Sequence, residues 1–211
     1  TQNNLIEGTH NTNKGSNSNT LMLGNQHKIE IGNDNSSILG GSRAIVTRKG
    51  EVVTAGGGQR TLSDSTSAAT FNSRRQSSTI ELSGVTIDNT ATNLTVQGDG
   101  SSFINVKNNS IIGYDIYITR LELGGTSGTA GNYSYRNIRG AVQIDDSYNM
   151  AFVVGFSRNI AKIGQNGTCI MADTSTSSVK SISVNVQDRN NVHNLWSASV
   201  TLHEVISETT F

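Results

Sequence analysis

The sequence predicts an all-β protein: a short-repeat β-roll or β-helical shaft, followed by an antiparallel β-sandwich head of the jelly-roll kind. Two observations predict this fold class. Gly24, Gly32 and Gly40 recur every eight residues, each after an apolar cluster and most of them before an Asn-rich turn, which is typical of a β-solenoid. From Thr79 onward, short alternating apolar and polar runs are separated by turn residues, and no stretch sustains a helical period.

The length of the shaft repeat also predicts an oligomer. Eight extended residues reach only about 26 Å, enough for one strand and one turn, so one such repeat does not enclose a core. Other copies of the chain can cover the apolar clusters in a rotationally symmetric assembly. The residues expected in that shared shaft core are Leu21, Leu23, Ile29, Ile31 and Ile38. The alternatives are a monomeric β-roll and a chance run within an Asn-rich segment.

The chain divides into three segments by composition. We assign residues 1–46 to the octad-repeat shaft, 47–78 to a neck or linker, and 79–211 to the head. The neck contains three consecutive glycines and a stretch rich in Ser, Thr, Ala and Arg, which favours a long loop. The strongest strand pattern covers residues 112–123. Other predicted strands of the head include residues 79–82, 84–87, 138–144, 150–156, 168–171, 179–187 and 195–205.

Composition excludes some classes of partner. Sixteen basic and 16 acidic residues balance, so no basic surplus indicates nucleic-acid binding. No apolar run approaches the roughly 18 residues of a membrane span, so no membrane insertion is expected. The single cysteine, Cys169, is expected to be a small buried apolar residue, and Trp196 is expected in a core or an interface. Because the chain opens inside a repeat, we expect it to be the C-terminal part of a longer protein.

The order of several motifs gives the chain a resemblance to a known class of proteins. The octads resemble the β-roll heads of trimeric bacterial adhesins and the repeats of phage fibres. Residues 56–60 and 89–96 resemble the linker and the strand entry of phage tail-fibre and receptor-binding tips. Residues 108–118, 139–144, 179–184 and 195–200 resemble the strands that follow in those tips. Tyr114 departs from the family pattern, which usually has Trp there.

The resemblance implies a homotrimeric fibre on the surface of a virion, and therefore an extracellular location. It implies that the head attaches to a host-surface receptor, most simply a glycan, and that the fibre joins upstream fibre or baseplate proteins. A bacterial trimeric adhesin head, the fibre of a phage-like injection machine and a polysaccharide depolymerase tip are the alternatives. Genomic neighbours would separate the phage fibre from the adhesin.

Motifs for catalysis are weak, so we expect no enzymatic activity and no cofactor. The chain has no Gly-x-Ser-x-Gly nucleophile motif, and His193 and His203 fall in or near predicted strands. Glycoside hydrolysis needs two carboxylates beside the scissile bond. Asp145 and Asp146 are adjacent, but they follow a predicted strand, and a hairpin turn explains them more simply.

Motifs for metal binding are weaker still. Asn33, Asp34 and Asn35 resemble part of a calcium loop, but the rest of the Asp-x-Asp-x-Asp-Gly pattern is missing. His10 and His27 fall in turns of the repeat, where they would form rings of imidazoles in a trimer. Because they occupy different positions in their repeats, we interpret both as exposed turn residues and expect no metal.

Loops carry binding function on β scaffolds, so the ligand-binding candidates lie beside loops of the head. Tyr133 and Tyr135 follow the Gly-rich loop of residues 124–131, and Arg136 comes directly after them. Asp146 and Tyr148 lie in the acidic turn. Tyrosine rings can stack on sugars, while Asp146 and Arg136 can bond hydroxyls. The alternative is that these residues line the core or a subunit interface.

Overall fold

The computed structural model describes residues 3–58 and 74–207, and all regular structure in these ranges is β-strand. None of the described residues belongs to a helix long and apolar enough to cross a membrane. Most of the predicted neck loop, residues 59–73, lies outside the described residues. The all-β prediction is therefore confirmed for the part of the chain that is described.

The N-terminal segment is a β-solenoid of about three turns. Its strands are β1 (Asn4–Thr9), β2 (Thr12–Asn13), β3 (Thr20–Asn25), β4 (Lys28–Ile29), β5 (Ser37–Ile38), β6 (Ile45–Val46) and β7 (Val52–Gly58). Strands β1, β3, β5 and β7 pair in parallel on one face, and β2, β4 and β6 pair in parallel on the other. One coil therefore uses two octads, with one strand on each face.

This two-octad coil corrects the argument that the shaft needs other copies to enclose a core. Leu5 pairs with Leu21 sixteen residues later, so the coil is twice as long as the glycine spacing. The two faces enclose an intrachain core in which Ile29 and Ile38 are fully buried. Leu21 and Leu23 are only half-buried, and Ile31 is 71% exposed. The oligomer therefore stays a prediction without this support from the shaft.

Stacked polar side chains join successive coils at the same sixteen-residue spacing. The Asn19 Nδ2 donates to Asn35 Oδ1 at 3.0 Å. Buried Asn17 is the most connected rung: its Nδ2 donates to the carbonyl oxygens of Lys14 and Glu30, each at 2.8 Å, and its Oδ1 accepts from the Asn33 N–H at 2.9 Å. These bonds satisfy turn backbone that the short strands leave unpaired, so the abundant asparagines are structural.

Two of the repeated glycines, Gly8 and Gly24, lie where adjacent coils approach each other. Gly24 has a φ of +120°, and a Cβ there would lie 2.5 Å from His27 Nε2 and 2.6 Å from the Gly41 carbonyl oxygen. A left-handed backbone in contact with its neighbours excludes other residues. Packing of one coil on the next therefore requires glycine at Gly8 and Gly24, whereas a Cβ at Gly32 or Gly40 would meet no neighbouring atom within 4 Å.

The head contains a large antiparallel sheet that continues from the solenoid. Its strands are β8 (Arg74–Thr86), β12 (Ser110–Gly124), β13 (Tyr133–Ile144), β14 (Met150–Ile163) and β17 (His193–Ile206), in the spatial order β7-β8-β17-β12-β13-β14. The predicted pair at residues 79–82 and 84–87 is in fact one strand, β8, which runs through Gly84. The other predicted strands are confirmed, most of them longer at one or both ends.

A smaller sheet covers one face of the large sheet. It contains β9 (Thr92–Asn93), β11 (Ile104–Asn105), β15 (Thr168–Asp173) and β16 (Ser181–Gln187), while β10 (Thr95–Val96) pairs with β8. The core between the sheets includes Ile116 and Val200 from the large sheet and Ile182 and Val184 from the small one. Each such side chain contributes roughly 1.5–3 kcal/mol by burial. Trp196 also lies in this core, as expected.

Buried charges lock the solenoid to the head. The Arg48 guanidinium contacts Glu51 Oε1 at 2.9 Å and Glu204 Oε1 at 2.6 Å, and its Nε donates to the Asn105 carbonyl oxygen at 2.6 Å. Burial alone lowers the pKa of Arg48, but the charges of Glu204 and Glu51 outweigh burial and raise it above its ordinary value. Gln76 on β8 also donates to Glu51 at 3.2 Å.

Candidate functional site

The residues predicted to bind a ligand lie at opposite ends of β13. Tyr133 and Tyr135 lie near its start, whereas Asp146 and Tyr148 lie in the turn beyond its last residue. The strand length separates the two groups by roughly 30 Å at about 3.4 Å per residue. The structure therefore does not bring these residues together into one site within a chain.

Arg136 faces away from the two tyrosines. It is paired across the strands with inward-facing Ile118. Its Nε donates to Asn159 Oδ1 at 3.0 Å, and its Nη1 lies 3.3 Å from the Cys169 sulfur. Cys169 is buried, as expected, and burial raises the pKa of its thiol despite the nearby Arg136 charge. Arg136 thus connects the large sheet, through Asn159, to Cys169 of the small sheet.

The face of the large sheet that no described strand covers, here called the outer face, carries an aromatic cluster. The rings of Tyr117 and Tyr135 stack with centroids 5.8 Å apart. Beside them, Arg139 Nε lies 2.9 Å from Asp115 Oδ2. The hydrogen bond with Tyr117 and then the Asp115 charge raise the pKa of Arg139. The outer face therefore offers stacked rings next to an ion pair.

The acidic turn after β13 is a structural turn, as the sequence analysis preferred. Asp145 Oδ1 accepts the N–H groups of Ser147 at 2.9 Å and Asn149 at 2.7 Å, and Oδ2 accepts from Asn149 Nδ2 at 2.7 Å. These bonds, the Asn149 side chain first, lower the pKa of Asp145. Asp146 is exposed, and Tyr148, with a φ of 64°, packs partly against the core.

Two pairs of buried carboxylates each flank a buried guanidinium, and the second pair also contacts Arg189. One pair belongs to Arg48, as described above. The other consists of Glu122 and Asp188 around Arg120, and all three side chains are fully buried. Glu122 also accepts the Thr129 N–H at 2.5 Å. Carboxylates held in this way are not accessible for acid–base chemistry on a sugar.

One serine and one histidine meet on the outer face without forming a triad. Ser77 Oγ lies 3.2 Å from His203 Nδ1. No carboxylate among the described residues bonds His203, so nothing orients the imidazole as a base. His193 is an exposed residue at the start of β17. These contacts give no support for nucleophilic catalysis.

The two histidines of the shaft have different environments. His10 is exposed in a turn, as predicted. His27 is buried inside its coil, which corrects the prediction of an exposed turn residue. Its Nδ1 accepts the Ala44 N–H at 3.1 Å, and burial lowers its pKa. Within the described ranges, no three His, Cys, Asp or Glu side chains lie close enough to hold a metal ion.

A polar cleft lies where the solenoid meets the small sheet of the head. Its volume is about 280 Å³, close to the lower end of ligand pockets. The solenoid wall contains Gly32, Asn33 and Lys49. The head wall is formed by Ser101, Ser102, Phe103, Asn105, Thr174, Thr176, Val179 and Ser181. We refer to these residues as the junction cleft.

Hydrogen bonds fix several walls of the junction cleft. The Lys49 ammonium lies 2.9 Å from Asp99 Oδ2, while Asp99 Oδ1 accepts the N–H groups of Ser101 at 2.9 Å and Ser102 at 2.7 Å. Burial alone raises the pKa of Asp99, but these hydrogen bonds and Lys49 outweigh it and lower the pKa well below its ordinary value. A carboxylate that stays ionised holds the ammonium in place.

Other groups of the cleft can contact a ligand. Asn33 is buried and its Nδ2 donates to the Glu30 carbonyl oxygen at 3.0 Å, while its Oδ1 accepts no hydrogen bond from another described residue. Thr174 and Ser181 hydroxyls lie 2.9 Å apart. Phe103 is half-buried and adds an aromatic surface. Amides, hydroxyls and one ring in a concave site suit a polyhydroxylated ligand.

A second cleft, of about 390 Å³, is lined by Gly56, Gly57, Arg75, Gln76, Ser77, His203, Glu204 and Val205. It borders on both ends of the segment 59–73, which lies outside the described residues. The side chains of Gln76 and Glu204 in its lining are engaged with Glu51 and Arg48, so the junction cleft is the better candidate.

No protein-family model matches the chain, and no curated protein matches it either. Two solved structures show a partial likeness. One is a tailspike protein of Acinetobacter baumannii phage AM24, with a TM-score of 0.37 and 7% identity over 64% of this chain and 27% of that one. The other is the tailspike gp49 of Acinetobacter baumannii bacteriophage Fri1, a capsular polysaccharide depolymerase, with a TM-score of 0.30 and 9% identity over 88% and 30%.

The chain spans less than a third of the length of either tailspike. TM-scores this low do not establish a common fold, so no property of either protein is transferred to this chain.

Sequence reasoning missed the junction cleft because its walls come from three distant segments. In the sequence, Asn33 stands out only as part of an incomplete calcium turn. The next two residues of that turn bond to the previous coil: Asp34 Oδ1 accepts the Ser18 N–H at 2.7 Å, and Asn35 Oδ1 accepts from Asn19. No periodic signal connects the shaft turns with Phe103, so only the docking of shaft on head reveals the site.

Proposed function

We propose that this chain is part of a homotrimeric phage fibre that attaches to a glycan on the host surface through the junction cleft. The observation that carries the proposal is a cleft lined by Asn33, Lys49, Phe103 and several hydroxyls at a rigid junction. The resemblance of the repeats and head strands to phage fibre tips supports the assignment to a virion surface. The sandwich-like packing of two sheets fits the head of such a tip.

The solenoid suits the mechanical part of this role. Parallel strands and asparagine ladders join each coil to the next, and the ion pairs around Arg48 join the last coil to the head. A tensile load on the head is therefore distributed over many hydrogen bonds. A rigid link also keeps both walls of the junction cleft in register, because one wall belongs to the solenoid.

The cleft favours recognition over cleavage. Lys49 is neutralised by Asp99, and Asp99 is held by two backbone N–H groups. Catalysis on a glycosidic bond needs two available carboxylates, and the junction cleft lining contains none. Bound sugars would be held by hydrogen bonds and by stacking on Phe103. Three copies in one fibre would add avidity to weak single sites.

The binding role assigned from the sequence stays a prediction for all five candidates: Tyr133, Tyr135, Arg136, Asp146 and Tyr148. Arg136 is the weakest of the five, because its guanidinium is engaged between the sheets. Tyr133 and Tyr135 lie on the outer face, on the opposite side of the large sheet from the small sheet. Alanine substitutions at Tyr135 and at Phe103 would therefore distinguish the outer face from the junction cleft.

The proposal is tested with purified protein and a panel of isolated capsular and O-chain polysaccharides from candidate host bacteria. We expect saturable binding to one of them and no increase in reducing ends during prolonged incubation. Time-dependent release of oligosaccharides would replace adhesion with the depolymerase alternative. Absence of binding by the folded protein to these polysaccharides and to intact cells of the same bacteria would contradict the attachment function itself.

A further inference from the structure

The polar ladder of the solenoid ends at Asn33, in the wall of the junction cleft. Asn17 and Asn33 occupy equivalent positions one coil apart. The Nδ2 of each donates to the carbonyl oxygen three residues before it, that of Lys14 at 2.8 Å and that of Glu30 at 3.0 Å. Because these bonds engage the Nδ2, the Oδ1 of each side chain is available as an acceptor for another group.

The two asparagines differ in what reaches this oxygen. Asn17 Oδ1 accepts the Asn33 N–H of the next coil at 2.9 Å. The residue sixteen positions after Asn33 is Lys49, which lies in a turn, and no described residue donates to Asn33 Oδ1. Only 6% of Asn33 is exposed. A buried acceptor without a donor is unfavourable, so the end of the ladder favours a ligand that brings an N–H or O–H group into the cleft.

The junction cleft also contains a donor that is held in place. Lys49 Nζ lies 2.9 Å from Asp99 Oδ2, and 31% of the lysine side chain is exposed. An ammonium has three N–H donors, so beside this ion pair Lys49 can donate to a ligand. Asp99 neutralises the charge of Lys49, and the cleft lining contains no carboxylate. The cleft therefore favours a neutral ligand group that can accept a hydrogen bond.

Two apolar side chains interrupt the polar walls. Phe103 is half-buried, and Val179 is 46% exposed. A turn holds Val179 in place, because its N–H donates to Thr176 Oγ1 at 3.1 Å and its carbonyl oxygen accepts the Thr176 N–H at 2.8 Å. A ligand hydroxyl gains nothing from an isopropyl surface, whereas a ligand methyl group is stabilised there by leaving water.

We propose that the junction cleft selects sugars that carry an acetamido group. The amide N–H donates to Asn33 Oδ1, and the carbonyl oxygen accepts from Lys49. The methyl group packs against Val179, while the sugar ring stacks on Phe103. An acetamido group is neutral and combines a donor, an acceptor and a methyl group within a few bonds. These are the three chemistries that the lining provides.

This inference rests on the proposed function, because it specifies the sugar that the same cleft binds. It adds two exclusions that attachment to a glycan does not impose. A parent hexose has a hydroxyl at the position of the acetamido group and therefore brings no methyl group to Val179. A free amino sugar is a cation, which the Lys49 ammonium repels.

The first test is equilibrium titration and saturation-transfer NMR of the whole chain with matched monosaccharides. The probes are the methyl glycosides of N-acetylglucosamine, N-acetylgalactosamine and N-acetylmannosamine, each compared with its parent hexose and its free amino sugar. At least one acetamido sugar should bind roughly tenfold more tightly than both of its counterparts, since it gains a methyl contact and a hydrogen bond. Its acetyl methyl group should receive the largest share of the transferred saturation.

Variants then locate this preference in the cleft. Val179→Thr keeps the shape of the side chain and replaces one methyl group with a hydroxyl. It should reduce the preference for the acetamido sugar over its parent hexose roughly fourfold, with thermal stability unchanged. Ile170→Thr, similarly exposed on the small sheet, is the matched control and should leave the preference intact. Asn33→Ala should weaken binding as well, but it also removes the bond to Glu30, so Val179→Thr keeps the test independent of folding.

The outcomes separate the sugar class from the attachment function. The inference is overturned if no acetamido sugar binds, if a parent hexose binds as tightly, or if Val179→Thr leaves the preference intact. Binding of a host polysaccharide that Phe103→Ala weakens would still support the proposed function in each of these cases. Conversely, an acetamido preference that depends on Val179, without any binding to intact host cells, would overturn the attachment function and leave the sugar class standing.

Discussion

Arg48, after the last short strand of the solenoid, and Glu204, on the strand β17 of the head, form a buried ion pair with a separation of 2.6 Å. The contact joins residues 156 positions apart in the chain. It connects the repeat segment to the sheet that carries the rest of the fold. The position of the junction cleft depends on this connection, because one cleft wall lies in each segment.

We expect Arg48→Met to destabilise the protein by about 3 kcal/mol or more, since it leaves Glu51 and Glu204 buried without their shared cation. Lys14→Met, which removes an exposed partner of Glu30, is the control and should have little effect. Urea unfolding monitored by circular dichroism measures both. Equal midpoints for the two variants would show that the junction does not depend on the buried ion pair.

Ile29 and Ile31, both in the octad that ends at Gly32, should respond oppositely to the same change. Ile29→Asp introduces a charge into the intrachain core and should cost about 4 kcal/mol or more. Ile31→Asp should be nearly neutral in a monomer, because Ile31 is largely exposed. Thermal unfolding of both variants compares them directly. Strong destabilisation by Ile31→Asp alone would place a subunit interface on the shaft, as the sequence first predicted.

The different burial of these two isoleucines shows what the sequence can predict about the shaft. Glycine spacing and apolar clusters correctly predicted a solenoid. They did not reveal that successive octads lie on opposite faces, since both octads carry similar residues. The inference that the coil lacks its own core followed from taking one octad as one coil. Ile29 and Ile31 flank the same polar residue, Glu30, so the sequence does not distinguish them. The chain turns directly after β4, which leaves Ile29 buried and Ile31 exposed.

The sequence predicted the strands of the head but not the position of a binding site. Alternation along β12 and β17 directly predicted their buried faces, including Trp196. The candidate binding residues were chosen because they lie near loops in the sequence, and β13 then carries the tyrosines and the acidic turn to opposite ends. Arg136 follows Tyr135 directly, so strand alternation turns it to the other face. Contacts between distant segments, such as Arg48 with Glu204, leave no local signal.

The ladder of asparagines should be essential at its buried rung. Asn17→Ala removes the acceptor of the Asn33 N–H and the donors to two carbonyl oxygens. Buried polar groups left unpaired cost about 1–3 kcal/mol each. We expect hydrogen exchange of the coil amides to accelerate strongly in this variant. Ser16→Ala, one residue earlier and exposed, should leave the exchange pattern unchanged.

His27 should make the stability of the solenoid depend on pH. Burial lowers its pKa in the folded state, so below the ordinary value of about 6.5 the unfolded chain binds a proton that the folded chain does not. Stability should therefore fall as the pH decreases from 7 toward 5. His27→Asn should reduce this slope, because asparagine does not titrate. Asparagine should be tolerated at this position, since Asn11 accepts the corresponding backbone N–H one coil earlier. Identical slopes for both proteins in urea titrations would exclude His27 as the cause.

The most direct test of the central claim is equilibrium binding of a host-derived polysaccharide fragment to the wild type, Phe103→Ala and Tyr135→Ala. If the junction cleft binds the glycan, Phe103→Ala should weaken binding by about 1–3 kcal/mol, the order found when stacking on an aromatic ring is lost. Tyr135→Ala should leave the affinity per site unchanged, and no reducing ends should appear. Unchanged binding by Phe103→Ala with a clear loss in Tyr135→Ala would contradict the cleft assignment.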